Sequence, residues 1–271
     1  MHPVLFKLGR FEIHSYGLML ALSFLVGIYW AMSRSEKRGI HRNHIMDLSI
    51  IVIIAAIVGA RIMYVVTHLA EFEGRWLDTI NPIQSTGEIG IPGLTLLGGV
   101  LLSLVSIIIF CSIRHIPVLK LFDVAAPGFA FGIFLTRIGC FLAGCCYGLP
   151  CHLPWAMTFP MNSPAGSRFL GVAIHPTQLY SSLYGLIILI TVLLLDRKPK
   201  FDGFLAAVFF MLYGISRFLV DMVRFYESVD QIYLWGIQLT FNQIISLSMF
   251  LFGLALMIIL HLRNRRSTEN S

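Results

Sequence analysis

The chain has 271 residues, of which 57% are hydrophobic and 13% charged, and its formal net charge is +6 at pH 7. A soluble globular protein carries about 25% charged residues, so this composition excludes that class and indicates a polytopic membrane protein. Transmembrane barrels are built from short alternating segments, whereas the apolar runs here are long and continuous. We therefore predict an all-α protein whose residues 1–271 form a single membrane-embedded domain.

Seven apolar runs are long enough to cross a bilayer as helices. The first of them should direct insertion, because no cleavable signal peptide is visible before it. In chain order, the predicted spans are 15–32, 46–66, 94–113, 121–142, 178–195, 203–222 and 239–261.

The loop charges predict the orientation of these spans. Of the 20 Lys and Arg residues, 12 fall in alternate loops and the C-terminal tail, four fall on the opposite side, and four lie in or beside spans. By the positive-inside rule, the N-terminus is outside and the C-terminus is cytoplasmic. The basic charge then reflects topology and inner-leaflet lipid, and no nucleic-acid partner is expected. The long segments 67–93 and 143–177 lie outside, which favours a functional site at the outer face.

Four arginines lie inside or at the edge of the predicted spans. A guanidinium near the bilayer centre costs roughly 2.5–3.5 kcal/mol on the insertion scale, so such residues usually face a polar cavity and hold an anion. They are Arg61, Arg137, Arg217 and Arg224.

The densest polar cluster is in the sixth span. Tyr213, Arg217, Asp221 and Arg224 follow one another at i, i+4, i+8 and i+11, which predicts one helix face over three turns. A phenol, two cations and a carboxylate on one inward face are typical of a site that handles phosphate within a membrane.

Other candidates have two interpretations each. Arg61, near the outer end of its span, either reaches the interface as a snorkelling side chain or faces the site. Arg137 lies among glycines, which leave room for a bulky headgroup and favour a functional role. Gly98 and Gly99 favour close helix packing, although they also permit a ligand to approach the backbone.

Residues at two span boundaries are also ambiguous. His175 opens the fifth span in HPTQLY, and Tyr16 opens the first in IHSYGLML. Each either anchors the helix at the membrane interface or lines the site.

A cysteine cluster begins near the end of the fourth span and continues beyond it as C-x4-C-C-x4-C. It could be a disulfide set, a metal site or a thiol nucleophile, but small apolar cysteines in a tight turn are the favoured interpretation. Adjacent cysteines do not easily share a tetrahedral metal. The residues are Cys140, Cys145, Cys146 and Cys151.

Several segments, in order, together resemble the bacterial prolipoprotein diacylglyceryl transferases over nearly the whole chain. They are IHSYGLML, GARIMYVV, LGGVLLS, the Asp-x-x-x-Pro and Arg-x-Gly of the fourth span, WAMTFP, HPTQLY and YGISRFLVDMVRF. The resemblance implies transfer of the diacylglyceryl group of phosphatidylglycerol to the lipobox cysteine of a preprolipoprotein, with release of glycerol phosphate. It also implies a seven-span protein of the bacterial cytoplasmic (inner) membrane that works at the outer face without metal or cofactor. Its partners would be phosphatidylglycerol, preprolipoprotein signal peptides and membrane lipids.

The resemblance also assigns roles to individual residues. Arg137 matches the family arginine that binds phosphatidylglycerol, and Arg217 and Tyr213 match residues needed for turnover. Asp221 stands where the family has glutamate. We therefore expect Arg217, Tyr213 and Asp221 to be catalytic. The expected substrate-binding residues are Arg137, Arg224, Arg61, Tyr16, Gly98, Gly99 and His175.

Three departures from the family pattern leave alternatives open. Leu97 replaces a histidine, Cys140 replaces an asparagine and Cys145 replaces an acidic residue. A related transferase with another acceptor is one alternative. A transporter or channel for a small anion is a second alternative, which the intramembrane arginines would fit, although the inverted repeats of many transporters are not seen.

The predicted chemistry does not need a histidine at position 97. A thiol reacts as the thiolate, and nearby arginines would favour that form and stabilise charge on the leaving phosphate ester. Asp221 then orients an arginine rather than accepting the proton. His14 or His175 could still act as a base.

Overall fold

The computed structural model describes residues 4–8, 11–72, 74, 76–79, 93, 95–226, 231–234 and 237–269. Within these ranges, seven helices are long and apolar enough to cross a membrane, so the predicted fold class and number of spans are confirmed. Much of the acidic segment 67–93, including Glu73, Arg75 and Glu88, lies outside the described residues. The spanning helices are α1 Ser15–Ser35, α2 Arg42–Thr67, α3 Leu96–Ile113, α4 Val118–Ala143, α6 Thr177–Leu195, α7 Phe204–Asp221 and α8 Phe241–Glu269, and the short helix α5 is Pro164–Arg168.

Two short antiparallel hairpins accompany the helices and were not predicted. One pairs β1, Val4–Leu8, with β2, Phe11–His14. The other pairs β3, Gln231–Leu234, with β4, Ile237–Thr240. Strands of four or five residues give too little alternation to stand out beside long apolar helices. The second hairpin matters for the site because its last residue, Thr240, directly precedes the first residue of α8.

A hydrogen-bonded cap begins α8 at the end of the second hairpin. The hydroxyl of Thr240 accepts from the backbone N–H of Gln243 at 3.1 Å, and the Gln243 side chain accepts from the backbone N–H of Thr240 at 2.9 Å. This reciprocal pair is a capping box, which satisfies amides that the first helical turn leaves unpaired. It also fixes the position of Thr240.

The chain forms two compact units, residues 1–31 with 122–271, and residues 32–121. In the larger unit, the core is made by buried apolar residues of α4, α6 and α7, and includes Ala130, Ile188 and Leu205. In the smaller unit, α2 and α3 pack along their glycines. A Cβ on Gly99 would lie 2.8 Å from the carbonyl oxygen of Ala56. The single domain predicted for 1–271 stays a prediction.

Asp123 holds the start of α7. The residue lies near the inner end of the fourth span, and its carboxylate is fully buried. Its two oxygens accept hydrogen bonds from the backbone N–H groups of Gly203 at 2.8 Å and Ala206 at 2.9 Å. Asp123 on α4 therefore caps the N-terminus of a different helix, and a carboxylate is favourable there because of the helix dipole.

Candidate active site

Arg217 on α7 is buried, and only one of its two terminal nitrogens is engaged by the described protein. Its Nη2 lies 3.1 Å from Asp221 Oδ1 and donates to the Tyr226 hydroxyl at 3.0 Å. Its Nη1 is also buried, and no described residue accepts a hydrogen bond from it. A buried donor without a partner is costly, so this nitrogen suits an anionic ligand.

Asp221 is saturated by donors from three directions. Besides the ion pair with Arg217, it accepts from the Tyr226 hydroxyl at 2.5 Å and from the Thr240 hydroxyl at 2.8 Å. Burial, together with the hydrogen bond to Asp221, raises the pKa of Tyr226 to about 12, against the opposing charges of Arg217 and Arg224. Tyr226 therefore stays protonated at working pH and bridges the arginine and the carboxylate. This arrangement orients Arg217.

Tyr184 on α6 lies close to two arginines of the site. The electrostatic partners of its phenol include Arg137 of α4, Arg217 and Tyr213 of α7. Its ring meets that of Tyr213 edge to face, with the centroids 6.2 Å apart. The hydroxyl is buried beside Ser181, yet no hydrogen bond of standard geometry reaches it from a described residue. The three helices thus bring a second unpartnered polar group to the arginines.

Arg137 is half-buried on α4 and completes this group. It interacts electrostatically with Tyr184, Tyr213 and two cysteines, Cys140 and Cys146. Tyr16, at the start of α1, interacts with the same arginine and cysteines. The structure therefore brings together Tyr16, Arg137, Tyr213 and Arg217, four of the predicted site residues.

Arg224 is not on the helix face that we predicted. Helix α7 ends at Asp221, so the expected stripe of three turns is wrong for this residue. Arg224 instead lies in an extended segment that pairs with Gly148. Its guanidinium carbon is 5.1 Å from the centre of the Tyr226 ring, and its charge acts on Cys146. A turn and a bridge, rather than helical periodicity, bring it to the site.

The loop after α4 lies along one side of the site. Thr177 and Gln178, at the start of α6, donate side-chain hydrogen bonds of 2.7 Å to the carbonyls of Cys146 and Cys145. Gly148 donates its N–H to the carbonyl of His175 at 3.1 Å. A Cβ at Gly148 would lie 2.6 Å from the Cβ of His175, so the close approach of these segments requires glycine.

Three cysteines, one at the end of α4 and two in this loop, form a compact group. The sulfurs of Cys140, Cys145 and Cys146 all lie within 4.8 Å of one another. All five cysteines of the chain are free thiols in the structure. Hydrogen bonds from Cys140 and Cys145, supported by the charges of Arg224 and Arg137, hold the pKa of the Cys146 thiol below its ordinary range. The prediction of cysteines in a tight turn does not capture this convergence.

His175 contacts aromatic residues at the start of α6. Its Nδ1 lies 3.2 Å from the Tyr180 hydroxyl, which also accepts from the indole N–H of Trp155 at 2.7 Å. Together with the backbone pairing to Gly148, these contacts give His175 a role in holding the loop. Its predicted role in substrate binding stays a prediction.

Three predicted site residues belong to the smaller unit and have structural contacts there. Arg61 is buried and donates to the carbonyls of Thr79 at 2.8 Å and Gly93 at 3.4 Å, so it is not a snorkelling side chain. Gly98 and Gly99 are buried where α3 meets α2. These contacts support the packing interpretation of the glycines, and substrate binding by the three residues stays a prediction.

Sequence reasoning missed Tyr184, Tyr226 and Thr240. Tyr184 lies one turn after Tyr180 on α6, a spacing that places both on neighbouring positions of one face. Tyr226 and Thr240 lie beyond the end of α7, where helical spacing predicts nothing about contacts.

Comparison with known proteins gives the family of this chain. The family model described as prolipoprotein diacylglyceryl transferase matches residues 3–259. A phosphatidylglycerol–prolipoprotein diacylglyceryl transferase of Clostridium tetani is 33% identical over 224 residues, 83% of this chain and 86% of the relative. The protein of that name from Finegoldia magna is 30% identical over 259 residues, 95% of each chain. One from Wolbachia of Drosophila simulans is 33% identical over 262 residues, 94% of this chain and 93% of the relative. The chain therefore belongs to the prolipoprotein diacylglyceryl transferase family.

Proposed function

We propose that this multi-pass membrane protein transfers the diacylglyceryl group of phosphatidylglycerol to the lipobox cysteine of preprolipoproteins, the first step of lipoprotein maturation. The names of the relatives support both substrates. The observation that carries the proposal is the buried Nη1 of Arg217, which no described residue engages. A buried guanidinium with one nitrogen fixed and the other available suits a phosphate diester.

The headgroup phosphate binds between the arginines of α4 and α7. Arg217 Nη1 donates to one phosphate oxygen, and Arg137 supplies the second positive charge. The Tyr184 hydroxyl, which lies in the field of both arginines, is a further donor. With the phosphate held there, the glyceryl carbon that carries it is the atom that the acceptor attacks.

The reaction is a substitution at that glyceryl carbon. The acceptor sulfur forms a thioether bond to the carbon as the carbon–oxygen bond to the phosphate breaks. The electron pair leaves on that oxygen, and glycerol phosphate departs. Arg137 and Arg217 stabilise the growing charge in a site of low dielectric.

The acceptor thiol must release its proton to water for this step. The positive charge of the arginines favours the thiolate. Asp221 does not take the proton, because Arg217, Tyr226 and Thr240 already occupy its oxygens. Its carboxylate positions Arg217 instead.

The protein would act in the bacterial cytoplasmic membrane, with this site at the outer side. The distribution of cations supports the orientation. A site at that side agrees with the outer-face activity that the family resemblance implies.

The test uses purified protein, phosphatidylglycerol with an isotopically labelled headgroup glycerol, and a lipobox peptide. We expect glycerol phosphate and peptide carrying the diacylglyceryl mass to form in equal amounts, and neither to form with a peptide whose cysteine is serine. Glycerol phosphate release without a change in peptide mass would refute the proposal.

Two variants connect this activity to the site. Arg217→Ala should abolish both products, whereas Arg114→Ala, which changes an exposed arginine in the loop between α3 and α4, should leave them unchanged. Equal activity in the two variants would show that the transfer does not use this site.

A further inference from the structure

The proposed reaction does not use the three-sulfur group at the end of α4. Cys140 is buried in the helix, and Cys145 and Cys146 are half-buried in the following loop. Each sulfur is within 4.8 Å of the other two. Free thiols are chemically versatile, and three of them converging from a helix end and a loop form a set of soft ligands.

The loop backbone explains how adjacent cysteines can point to one place. Gly144 and Cys146 both have positive φ angles, 71° and 60°, and a left-handed conformation is rare for a residue with a side chain. The hydrogen bonds from Thr177 and Gln178 to the carbonyls of this turn hold it in place. The fold therefore keeps Cys146 in an unfavourable conformation in which its sulfur meets the other two.

The distances suit a thiolate complex. With zinc–sulfur bonds of about 2.3 Å, ligand sulfurs in a tetrahedral site are roughly 3.8 Å apart. Sulfurs that are already within 4.8 Å need to close by about 1 Å at most to reach this spacing. The spacing of Cys140 and Cys145 also falls within the C-x2-4-C pattern of such sites.

The surrounding charges determine which ions fit. Arg137 and Arg224 both lie close enough to Cys146 to interact with it electrostatically, so they repel a bare cation. A divalent ion bound by three thiolates carries a net charge of −1, which the same arginines stabilise. Hard cations such as Mg²⁺ and Ca²⁺ prefer oxygen ligands. Without thiolate ligands they would keep their positive charge beside the two arginines, so this site should not bind them.

We infer that Cys140, Cys145 and Cys146 form a binding site for one thiophilic divalent cation, such as Zn²⁺ or Cd²⁺. The ion forms three metal–sulfur bonds, and each thiol that is still protonated releases its proton to solvent on binding. The fourth coordination position is left to water. This site is independent of the transfer reaction, because its formation requires neither lipid nor acceptor.

The experiment titrates the reduced, metal-free full chain in detergent with Cd²⁺. Cadmium–thiolate bonds absorb in the ultraviolet, and the absorbance reports how many form. We expect saturation at one ion per chain with an amplitude for three thiolates, and no competition from a large excess of Mg²⁺ or Ca²⁺. Competition by Mg²⁺, or saturation with the amplitude of a single thiolate, would overturn the inference.

Matched variants locate the ion. Cys146→Ser should weaken Cd²⁺ binding at least tenfold and lower the amplitude by a third. Cys151→Ser, which alters a half-buried cysteine outside the three-sulfur group, should change neither value. Loss of binding in Cys151→Ser, or unchanged binding in Cys146→Ser, would contradict the assignment.

A second measurement on the unaltered chain covers the case in which Cys146→Ser does not fold. Thiols are alkylated with and without bound Cd²⁺, and the modified positions are read by mass spectrometry. Protection of Cys140, Cys145 and Cys146, with Cys151 still reactive, supports the site. Equal reactivity at all four positions overturns it, whether or not the chain proves to be a transferase.

Discussion

At the scale of single residues, the site depends on the different surroundings of the two terminal nitrogens of Arg217. The protein fixes Nη2 through Asp221 and Tyr226, and leaves Nη1 without a partner among the described residues. Asp221 is itself held by Thr240, beyond the second hairpin. A ligand can therefore bind an arginine that is already oriented, without first ordering a flexible side chain.

The first prediction concerns the shape of the Arg217 guanidinium. Arg217→Lys keeps the charge but has one terminal nitrogen, which cannot both pair with Asp221 and reach the phosphate. We expect kcat/KM to fall by roughly 100-fold, as for loss of a donor to a developing charge. The measurement is the rate of peptide lipidation, with Arg114→Lys as the control for an exposed arginine. Near-normal turnover in Arg217→Lys would show that charge alone is sufficient.

The second prediction concerns Tyr226 as a positioning residue. Tyr226→Phe keeps the ring under Arg224 but removes the hydroxyl between Arg217 and Asp221. Hydrogen bonds to charged groups contribute about 1.5–3 kcal/mol, so kcat should fall by roughly tenfold or more. Tyr29→Phe, an exposed tyrosine on α1, is the matched control.

The pH profile separates positioning from proton transfer at the same residue. The pKa of Tyr226 is raised to about 12, so its hydroxyl stays protonated at any pH where the enzyme is assayed. The rates of wild type and Tyr226→Phe should therefore keep a constant ratio from pH 6 to about pH 9. A limb that disappears in the variant would identify Tyr226 as a proton donor or acceptor.

At the scale of elements, the ends of the helices form polar interactions that the apolar spans cannot form. Helix α7 begins at a cap supplied by Asp123 of α4 and ends at Asp221, which Thr240 holds from the start of α8. Both carboxylates are buried and fully hydrogen-bonded, as buried charges must be. Helix α7 is therefore fixed at both ends, and Arg217 lies one turn from its C-terminal end.

The third prediction tests the cap at the beginning of α7. Asp123→Ala would leave two buried backbone N–H groups unpaired, which costs about 1–3 kcal/mol for each group left without a partner. We expect a lower thermal unfolding temperature in detergent, with a smaller decrease for Asp123→Asn, which keeps one acceptor. Asp47→Ala, at an exposed position of α2, should have little effect. Equal stability of Asp123→Ala and wild type would show that the cap contributes nothing.

The fourth prediction distinguishes packing from ligand binding at Gly98. A Cβ there would collide with the carbonyl oxygen of Gly59 on α2, so Gly98→Ala should force α2 and α3 apart and lower the unfolding temperature. Gly132→Ala is the matched control, because a Cβ at that helical position meets open space. Alanine also has the better helix propensity there, by about 1 kcal/mol. Unchanged stability in Gly98→Ala would instead favour a role in substrate binding.

The sequence predicted the helices well and their ends less well. Length and apolar character are properties of each segment, so six spans agree with the structure to within four residues at each end. The last span, predicted to end at 261, continues as a helix to Glu269. The placement of Arg224 on the face of α7 was wrong because this residue continues the helical spacing although the helix stops at Asp221. The partners of Arg217 were predicted only in part. Asp221 is one turn away, whereas Tyr226 and Thr240 depend on the path of the chain after the helix, which has no local sequence signal.

At the scale of the whole molecule, the seven helices carry an uneven distribution of charge. Twelve Lys and Arg residues occupy alternate loops and the tail, and four occupy the other side. This asymmetry is what orients a helical membrane protein during insertion. The prediction that the site lies at the outer side therefore depends on the loop charges, and it can be tested without any assay of activity.

The last prediction is the topology itself. With an odd number of spans and the N-terminus outside, segments 34–42, 114–120, 197–200 and 263–266 should all be cytoplasmic, and 143–177 should be external. Reporter domains that are active on only one side of the membrane, fused after residues 38, 115, 199 and 266, should all report the cytoplasm, and an insertion in 143–177 should report the outside. A result that places 34–42 and 263–266 on opposite faces would contradict the seven-span orientation. If the whole pattern were inverted, the arginine site would face the cytoplasm, and an acceptor presented at the outer surface could not reach it.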